Sequence, residues 1–310
     1  MKKKTVTVFA PASLSNLGSG FDVLGLALEQ PGDLAEATRL SVPGLQFKLI
    51  SRDPKVPAEA SKNVAAHVVQ LLMRDRKVKF GIDLRLHKKL QIGSGLGSSA
   101  ASGVAALVAA NALLDKPLTK LDLLQFAIEG ERLATGTAHA DNVSPCLLGG
   151  ATIVRSYSPL DVIRIPVENR ITWAVTLPDV VVLTKDARAV LPENIPLKSA
   201  VQQWGNLAGL IQGLIIGNVQ LIGKCVEDVI IEPHRAKLIP GFHEARKAAM
   251  KAGAYGVSIS GSGPAVFAVC KGAFEGRRVA QAMAKAFEKT AGVTSKIYVS
   301  RTNLQGAVIQ

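Results

Sequence analysis

Polar and apolar residues alternate from Thr5 to Ala10, and again at Phe80, Ile82, Leu84 and Leu86, which predicts two half-buried strands. Val23–Leu28 and Gln46–Ile50 read as further strands. Between these pieces Val64, Val68, Leu71 and Leu72 recur at helical spacing, with Ser61 predicted to cap a helix reaching Met73. A Gly/Ser-rich loop covers Ile92–Ser99, and the Ala-rich sequence from its end to Leu114 is strongly helical. Thr119 and Asp122 have the spacing of a capping box, opening a helix to about Leu133. Thr137–Gly150 reads as a loop with one helical turn.

In the second half, strands are predicted at Ala151–Arg155, Val162–Val167, Ile171–Leu177, Val180–Leu183, Val257–Ser260, Ala265–Val269 and Lys296–Ser300. Helices are predicted at Lys198–Gly213, Asn218–Val226, Ile239–Ala252 and Gly276–Lys289. Strands come in groups and helices in pairs, so the expected class is α+β with antiparallel-leaning sheets. There is no internal repeat, low-complexity tract or Pro-rich linker, and a division near residues 155–170 is expected.

Composition narrows the function classes. With 310 residues and 48% hydrophobic content, the chain can bury the core of one large domain or two packed ones. No apolar run reaches the roughly 18–20 residues of a membrane span. Met1–Lys4 is basic, but Val6–Phe9 is too short for a signal-peptide core, so neither secretion nor an anchor is expected. Cys146, Cys225 and Cys270 show no metal-ligand or disulfide spacing, which fits a reducing, cytoplasmic setting. The net charge of +13 is scattered over Lys2–Lys4, Arg74–Lys79, Arg85–Lys89, Lys247–Lys251 and Arg277–Arg278, without interleaved aromatics. That favours solvated surface and an anionic small molecule over nucleic acid.

The most informative segment is Gly93-Ser94-Gly95-Leu96-Gly97-Ser98-Ser99-Ala100. Alternate glycines let backbone N–H groups approach an anion, and a helix starting near Ser98 adds its positive dipole end. Two serines offer hydroxyls to phosphate oxygens or to Mg²⁺. The segment lacks the lysine of a Walker loop. Gly95-x-Gly97-x-x-Ala100 matches a dinucleotide fingerprint, but a second helix follows where that motif needs a parallel strand.

Read as P-x-G-x-G-L-G-S-S-A with Gln91 in place of the proline, this loop resembles the nucleotide motif of the GHMP kinases. Ala10–Asp22, containing Asn16-Leu17-Gly18-Ser19-Gly20-Phe21-Asp22, resembles that family's first motif, and Gly256–Pro264 its third. The Asn16–Asp22 string, His139–Pro145, Thr184–Arg188 and Glu232–Arg235 are similar to the branch that phosphorylates homoserine. The resemblance implies a two-domain fold. An N-terminal ATP-binding half like a ribosomal-protein domain would cover residues 1–160, and a ferredoxin-like-derived half residues 161–310, with the active site in the cleft between them.

The resemblance also implies roles. ATP would be held by Asn63, Gly93, Ser94, Gly95, Leu96, Gly97, Ser98 and Ser99, with Asn63 able to serve instead as a helix cap. Ser99 and Glu131 would hold Mg²⁺, Ser98 being the rival hydroxyl and Glu129 a decoy on another helix face. L-Homoserine would be bound by Asn16, Asp22, His139, Arg188 and Arg235, the arginines taking its carboxylate and Asp22 its ammonium. The catalytic set would be Asn142, Glu131 and Ser99. Asn142 would orient the reacting hydroxyl, with His139 the rival as general base and Asp141 bonding locally. The implied product is O-phospho-L-homoserine, on the route to threonine, from a cytoplasmic enzyme that pairs as a homodimer. Two rivals stand beside this: a GHMP kinase for mevalonate, a sugar or shikimate, with no need of two carboxylate-binding arginines, and a basic RNA-binding module.

Overall fold

The computed structural model describes residues 5–168 and 170–310, so the basic Lys2–Lys4 cluster lies outside it. The first half runs β1 (Thr5–Ser15), β2 (Leu24–Leu40), β3 (Gly44–Ile50), α1 (Val64–Asp75), β4 (Gly81–His87), α2 (Ser98–Asn111), α3 (Lys120–Thr135), α4 (Ala140–Leu148), β5 (Ala151–Tyr157) and β6 (Leu160–Ile165). It continues β7 (Thr172–Pro178), α5 (Thr184–Ala189), α6 (Leu197–Ile216), α7 (Val219–Cys225), α8 (Glu232–Arg235), α9 (Phe242–Lys251), β8 (Gly256–Ile259), β9 (Val266–Cys270), α10 (Ala273–Ala291), β10 (Ser295–Ser300) and β11 (Val308–Ile309).

Seven strands form the first sheet, ordered β11-β1-β2-β4-β3, with β5 joining β2 and β6 joining β5. Its pairings are antiparallel except β3 with β4. The other sheet has four antiparallel strands ordered β10-β7-β9-β8. This is the expected α+β arrangement.

The long strand β2 differs from the short Val23–Leu28 piece predicted. The chain stays extended through Gln30-Pro31-Gly32-Asp33 and on to Leu40. The pairing of β1 with β2 jumps from Pro11↔Gly32 to Ser13↔Ala27, so the proline sits where no β1 partner is needed. β4 follows its predicted alternation, with Ile82, Leu84 and Leu86 fully buried.

Helices α1, α2 and α4 pack on the first sheet, and α3 lies against all three. α2 is buried almost all round, as its Ala-rich sequence implies. Gly130 lets α3 approach α1, since a Cβ there would stand 2.7 Å from the Val68 side chain. The predicted capping box forms at Thr119 and Asp122. At α1 the cap is Asn63, whose Oδ1 accepts the Ala65 N–H, while Ser61 belongs to a preceding 3₁₀ turn.

Two predicted pieces change class. His139–Gly149 carries a helix, α4, despite Pro145, because the segment is buried against β1 and β2. Val180–Leu183 is not a strand: it leads into α5, with Val181 and Leu183 exposed.

β7 is buried on both faces. Trp173, Val175 and Leu177 join the core shared with the first half, whereas Ala174 faces the second cluster, filled by α9 and α10. The four-stranded sheet is therefore a layer between two cores, which holds it in fixed relation to the first sheet. Residues 301–307 fasten this arrangement: Trp173 Nε1 donates to Thr302 Oγ1 at 3.1 Å, and Asn303 and Ala27 bond at 2.9 Å.

Candidate active site

The cleft is built where three loops meet. Ser13 N–H donates to the Leu96 carbonyl, Gly261 N–H to the Ser15 carbonyl, and Ala265 N–H to the Ser94 carbonyl, at 3.1–3.2 Å. Ser260 Oγ adds a bond to the Gly95 carbonyl at 2.6 Å. The cavity they enclose has a volume of about 560 Å³. It is lined by every predicted site residue except Leu96, whose side chain is buried.

Gly93, Gly95 and Gly97 all take left-handed backbone angles. At Gly97 a Cβ would lie 2.1 Å from Ser13 Oγ, so only glycine fits. Gly97 caps α2 without any side-chain hydrogen bond, which leaves the first N–H groups of that helix to face an anion. Ser98 Oγ is spent on the Leu90 carbonyl at 3.2 Å, so Ser99 is the hydroxyl that remains. Asn63 also uses both ends of its amide, on Ala65 and on Pro57, and borders the cleft as a cap.

Glu131 projects from α3 and is buried, 4% exposed, whereas Glu129 is exposed and pairs with Arg132. Burial, reinforced by nearby Asp141, pushes the Glu131 carboxyl up to about 7, with the Ser99 hydroxyl pulling the other way. Its Oε1 has no hydrogen-bond partner among the described residues. A buried carboxylate with one oxygen unpartnered, beside the Ser99 hydroxyl, fits a cation ligand set. Among those residues no three His, Cys, Asp or Glu gather, so a metal there would draw further ligands from phosphate and water.

The opposite end carries the charges. Asn16 and Asp22 sit in left-handed conformations in the β1–β2 connection, an uncommon state for side-chain-bearing residues. Asn16 holds that turn: Oδ1 accepts the Asp22 N–H at 3.1 Å and Nδ2 donates to the Gly261 carbonyl at 3.1 Å. Arg188 from α5 donates Nη2 to both Asp22 oxygens at 2.8 Å. Arg235 from α8 donates Nε to Ala187 and Nη1 to Gly261, and lies 5.0 Å over the Phe21 ring. Burial, then the charge of Arg188, lowers the Arg235 pKa to about 10. Asp228 anchors α8 by accepting the N–H groups of Ile230, Ile231 and Glu232.

His139 caps α4, with Nδ1 3.4 Å from Arg188 Nη2. Burial and the neighbouring Arg188 hold its pKa down, so the ring is neutral at neutral pH. Asn142 Oδ1 accepts from Ser13 Oγ at 2.8 Å, leaving its NH₂ as a free donor on the cleft side. Asp141 does not act as a purely local loop former. It is 3% exposed, lines the cleft, and its Oδ1 lacks a partner among the described residues. Burial, then Asp22, pushes its carboxyl up to about 7. Sequence reading gave Asp141 only a local bond and placed Lys88 in the Arg85–Lys89 run of solvated charge, whereas its side chain is 3% exposed, since a lone charge carries no sign of its burial.

Comparison with known proteins agrees with this geometry. The family model described as GHMP kinases N terminal domain matches residues 63–150, and GHMP kinases C terminal matches residues 208–289. The chain is 43% identical to a homoserine kinase of Chlorobium phaeobacteroides, covering 99% of both chains. It is 44% identical to that of Chlorobaculum tepidum, covering 99% of this chain and 98% of the relative. The crystal structure of homoserine kinase from Cytophaga hutchinsonii superposes with a TM-score of 0.95 at 45% identity, over 100% of this chain and 98% of that one.

The raised Asp141 pKa has a consequence for stability. Unfolded, this carboxyl titrates near 3.8; folded, near 7. Between those values the folded chain binds more protons than the unfolded one, so this group's contribution falls as pH rises through that window and is fully unfavourable above it. Asp141→Asn removes the effect. The stability of the variant relative to the parent should therefore grow from about pH 5 to about pH 8, measured by urea unfolding without nucleotide. A difference independent of pH would show that the carboxyl ionises normally.

Proposed function

The chain belongs to the GHMP kinases, among the homoserine kinases, and from that premise we propose that it transfers the γ-phosphate of ATP to the side-chain hydroxyl of L-homoserine, giving O-phospho-L-homoserine. The observation that carries the reading is the ion pair of Asp22 with Arg188, with Arg235 beside it. A zwitterionic amino acid can exchange into this pair without leaving a charge unmatched. Its ammonium takes Asp22 and its carboxylate takes Arg188 and Arg235. Arg188 Nε, buried and unpartnered among the described residues, and the free Nη2 of Arg235 are the donors waiting for it. A neutral alcohol would part the two charges and match neither.

Asn16 fixes Asp22, and neutral His139 packs beside Arg188 to border the substrate. The loop glycines and the uncapped start of α2 hold the triphosphate through backbone N–H groups. Glu131 and Ser99 are the residues that would hold Mg²⁺, which would supply positive charge to offset the charge of the transferring phosphoryl group. Asn142 orients the hydroxyl through its free NH₂ but cannot take its proton. We place the division between halves near residue 160, with the cleft between them. The three buried, free cysteines support a cytoplasmic setting. Leu197, Val201, Trp204 and Ile215, an exposed stripe on α6, support pairing with a second copy.

A second reading is favoured by one observation. Asp141, buried in the same cleft with Oδ1 unpartnered and its pKa near 7, has the properties of a general base for the hydroxyl proton. In the first reading phosphoryl transfer proceeds by positioning and charge stabilisation alone.

The main test is an ADP-release assay with homoserine, mevalonate, galactose and shikimate. Homoserine should lead by at least about two orders of magnitude in kcat/KM. Arg188→Leu and Arg235→Leu should each cost about 2–5 kcal/mol in kcat/KM for homoserine while leaving the KM for ATP almost unmoved. Comparable turnover of mevalonate would overturn the assignment.

The choice of glutamate is checked by Glu131→Gln, expected to cut kcat strongly, against Glu129→Gln, expected to change little. Equal losses would mean that Glu131 holds no metal.

For the proton, single-turnover transfer with homoserine saturating should slow less than about tenfold in Asp141→Asn and in His139→Leu. A loss of about 10²–10⁴ in Asp141→Asn, with disappearance of the acidic limb of the pH–rate profile, would establish the second reading instead.

A further inference from the structure

Beneath the phosphate loop lies a charge pair that the mechanism above does not use. Asp33, in the middle of β2, is fully buried, and the Lys88 side chain just past β4 is 3% exposed. Asp33 Oδ1 accepts the N–H groups of Lys89 and Leu90 at 2.8 and 2.9 Å. Its Oδ2 accepts Lys88 Nζ and, at 2.7 Å, Ser102 Oγ. Lys88 Nζ also donates to the Ser98 carbonyl at 2.7 Å. One carboxylate thus ties residues 88–90, where the chain leaves β4, to residues 98–102, where it enters α2. The segment between these anchors is the phosphate loop.

That segment needs an outside clamp. Its three left-handed glycines carry no side chains to fix their path, and glycine is the residue with most conformational freedom to lose. Gly97 gives α2 no side-chain cap either. The direction of the helix's free N–H groups, and the place of the Ser99 hydroxyl, then follow from how the Ser98 peptide is held. Burying an ammonium and a carboxylate is costly, and two apolar side chains would fill the space at no such cost. Lys88 also lines the cleft, so the pair touches the region it organises.

We propose that Asp33 and Lys88 form a positioning clamp that joins the two ends of the phosphate loop. The clamp sets nucleotide affinity and leaves the amino-acid end of the cleft alone. This rests on the kinase reading above, and binding of Mg-ADP tests it without any phosphoryl acceptor.

Lys88→Met and Asp33→Asn each strand one buried group of the pair, so either can lower stability for that reason alone. The informative variant combines Asp33→Asn with Lys88→Met: the introduced amide keeps a carbonyl oxygen to accept from Lys89 and Leu90, and no charge is stranded. By calorimetry it should bind Mg-ADP about 10–100-fold more weakly than the parent. Its thermal midpoint should be close to the parent's and its KM for homoserine unchanged. Lys88→Arg, which keeps the charge, should lie between the two. A double variant that folds and binds Mg-ADP like the parent would overturn the clamp. So would one that loses homoserine affinity equally. Failure of the double variant to fold would also overturn it, because the pair would then be holding the sheet and not the loop.

Discussion

Close contact of backbone with backbone is the condition on which this structure depends. The loop at 93–97 accepts the main-chain N–H groups of Ser13, in the first sheet, and Ala265, in the β8–β9 connection, and the hydroxyl of Ser260. A Cβ on Gly95 would stand 2.5 Å from the Ser260 carbonyl. Main-chain groups have few ways to move once bonded on both sides, so these contacts restrain the middle of the loop, while the Asp33 and Lys88 side chains hold its two ends. The shared core beneath β7 does the same at larger scale. It leaves the two sheets no interface that could open without exposing Trp173 and Phe267.

Against this rigid floor, the cleft holds polar atoms without partners among the described residues: Glu131 Oε1, Asp141 Oδ1 and Arg188 Nε. Each raises the free energy of the empty protein, and each can be satisfied by a ligand of the right charge. Specificity then arises on both sides. The correct substrate and nucleotide relieve these deficits, and a molecule lacking a charge leaves them in place after displacing water.

Much of this was legible in the sequence because it was local. The glycine spacing, the Thr119–Asp122 cap and the alternation through β4 are each decided by residues within a few positions of one another. The errors came where distant contacts overrode a local signal. The strand predicted at Val23–Leu28 stops short of β2, which the jump in pairing with β1 carries on past Pro31 and Gly32. Thr137–Gly150 reads as a loop with one helical turn, but burial on the sheet gives it the helix α4 despite Pro145. Asp141 looks like an ordinary loop acid until the fold closes over it. Asp33 and Lys88 are separated by two strands and a helix, and nothing near either shows that it is buried or paired with the other.

The short strand β11 gives the molecule an order of assembly. Val308 and Ile309 lie against Phe9 and Val8, closing the outer edge of β1. During synthesis β1 leaves the ribosome long before its edge partner exists, and residues 301–307 that brace Trp173 and Ala27 arrive equally late. Until then the first sheet shows a row of unpaired N–H and C=O groups to any neighbouring chain. A chain without Val308 and Ile309 would therefore present that part of the β1 edge to its neighbours.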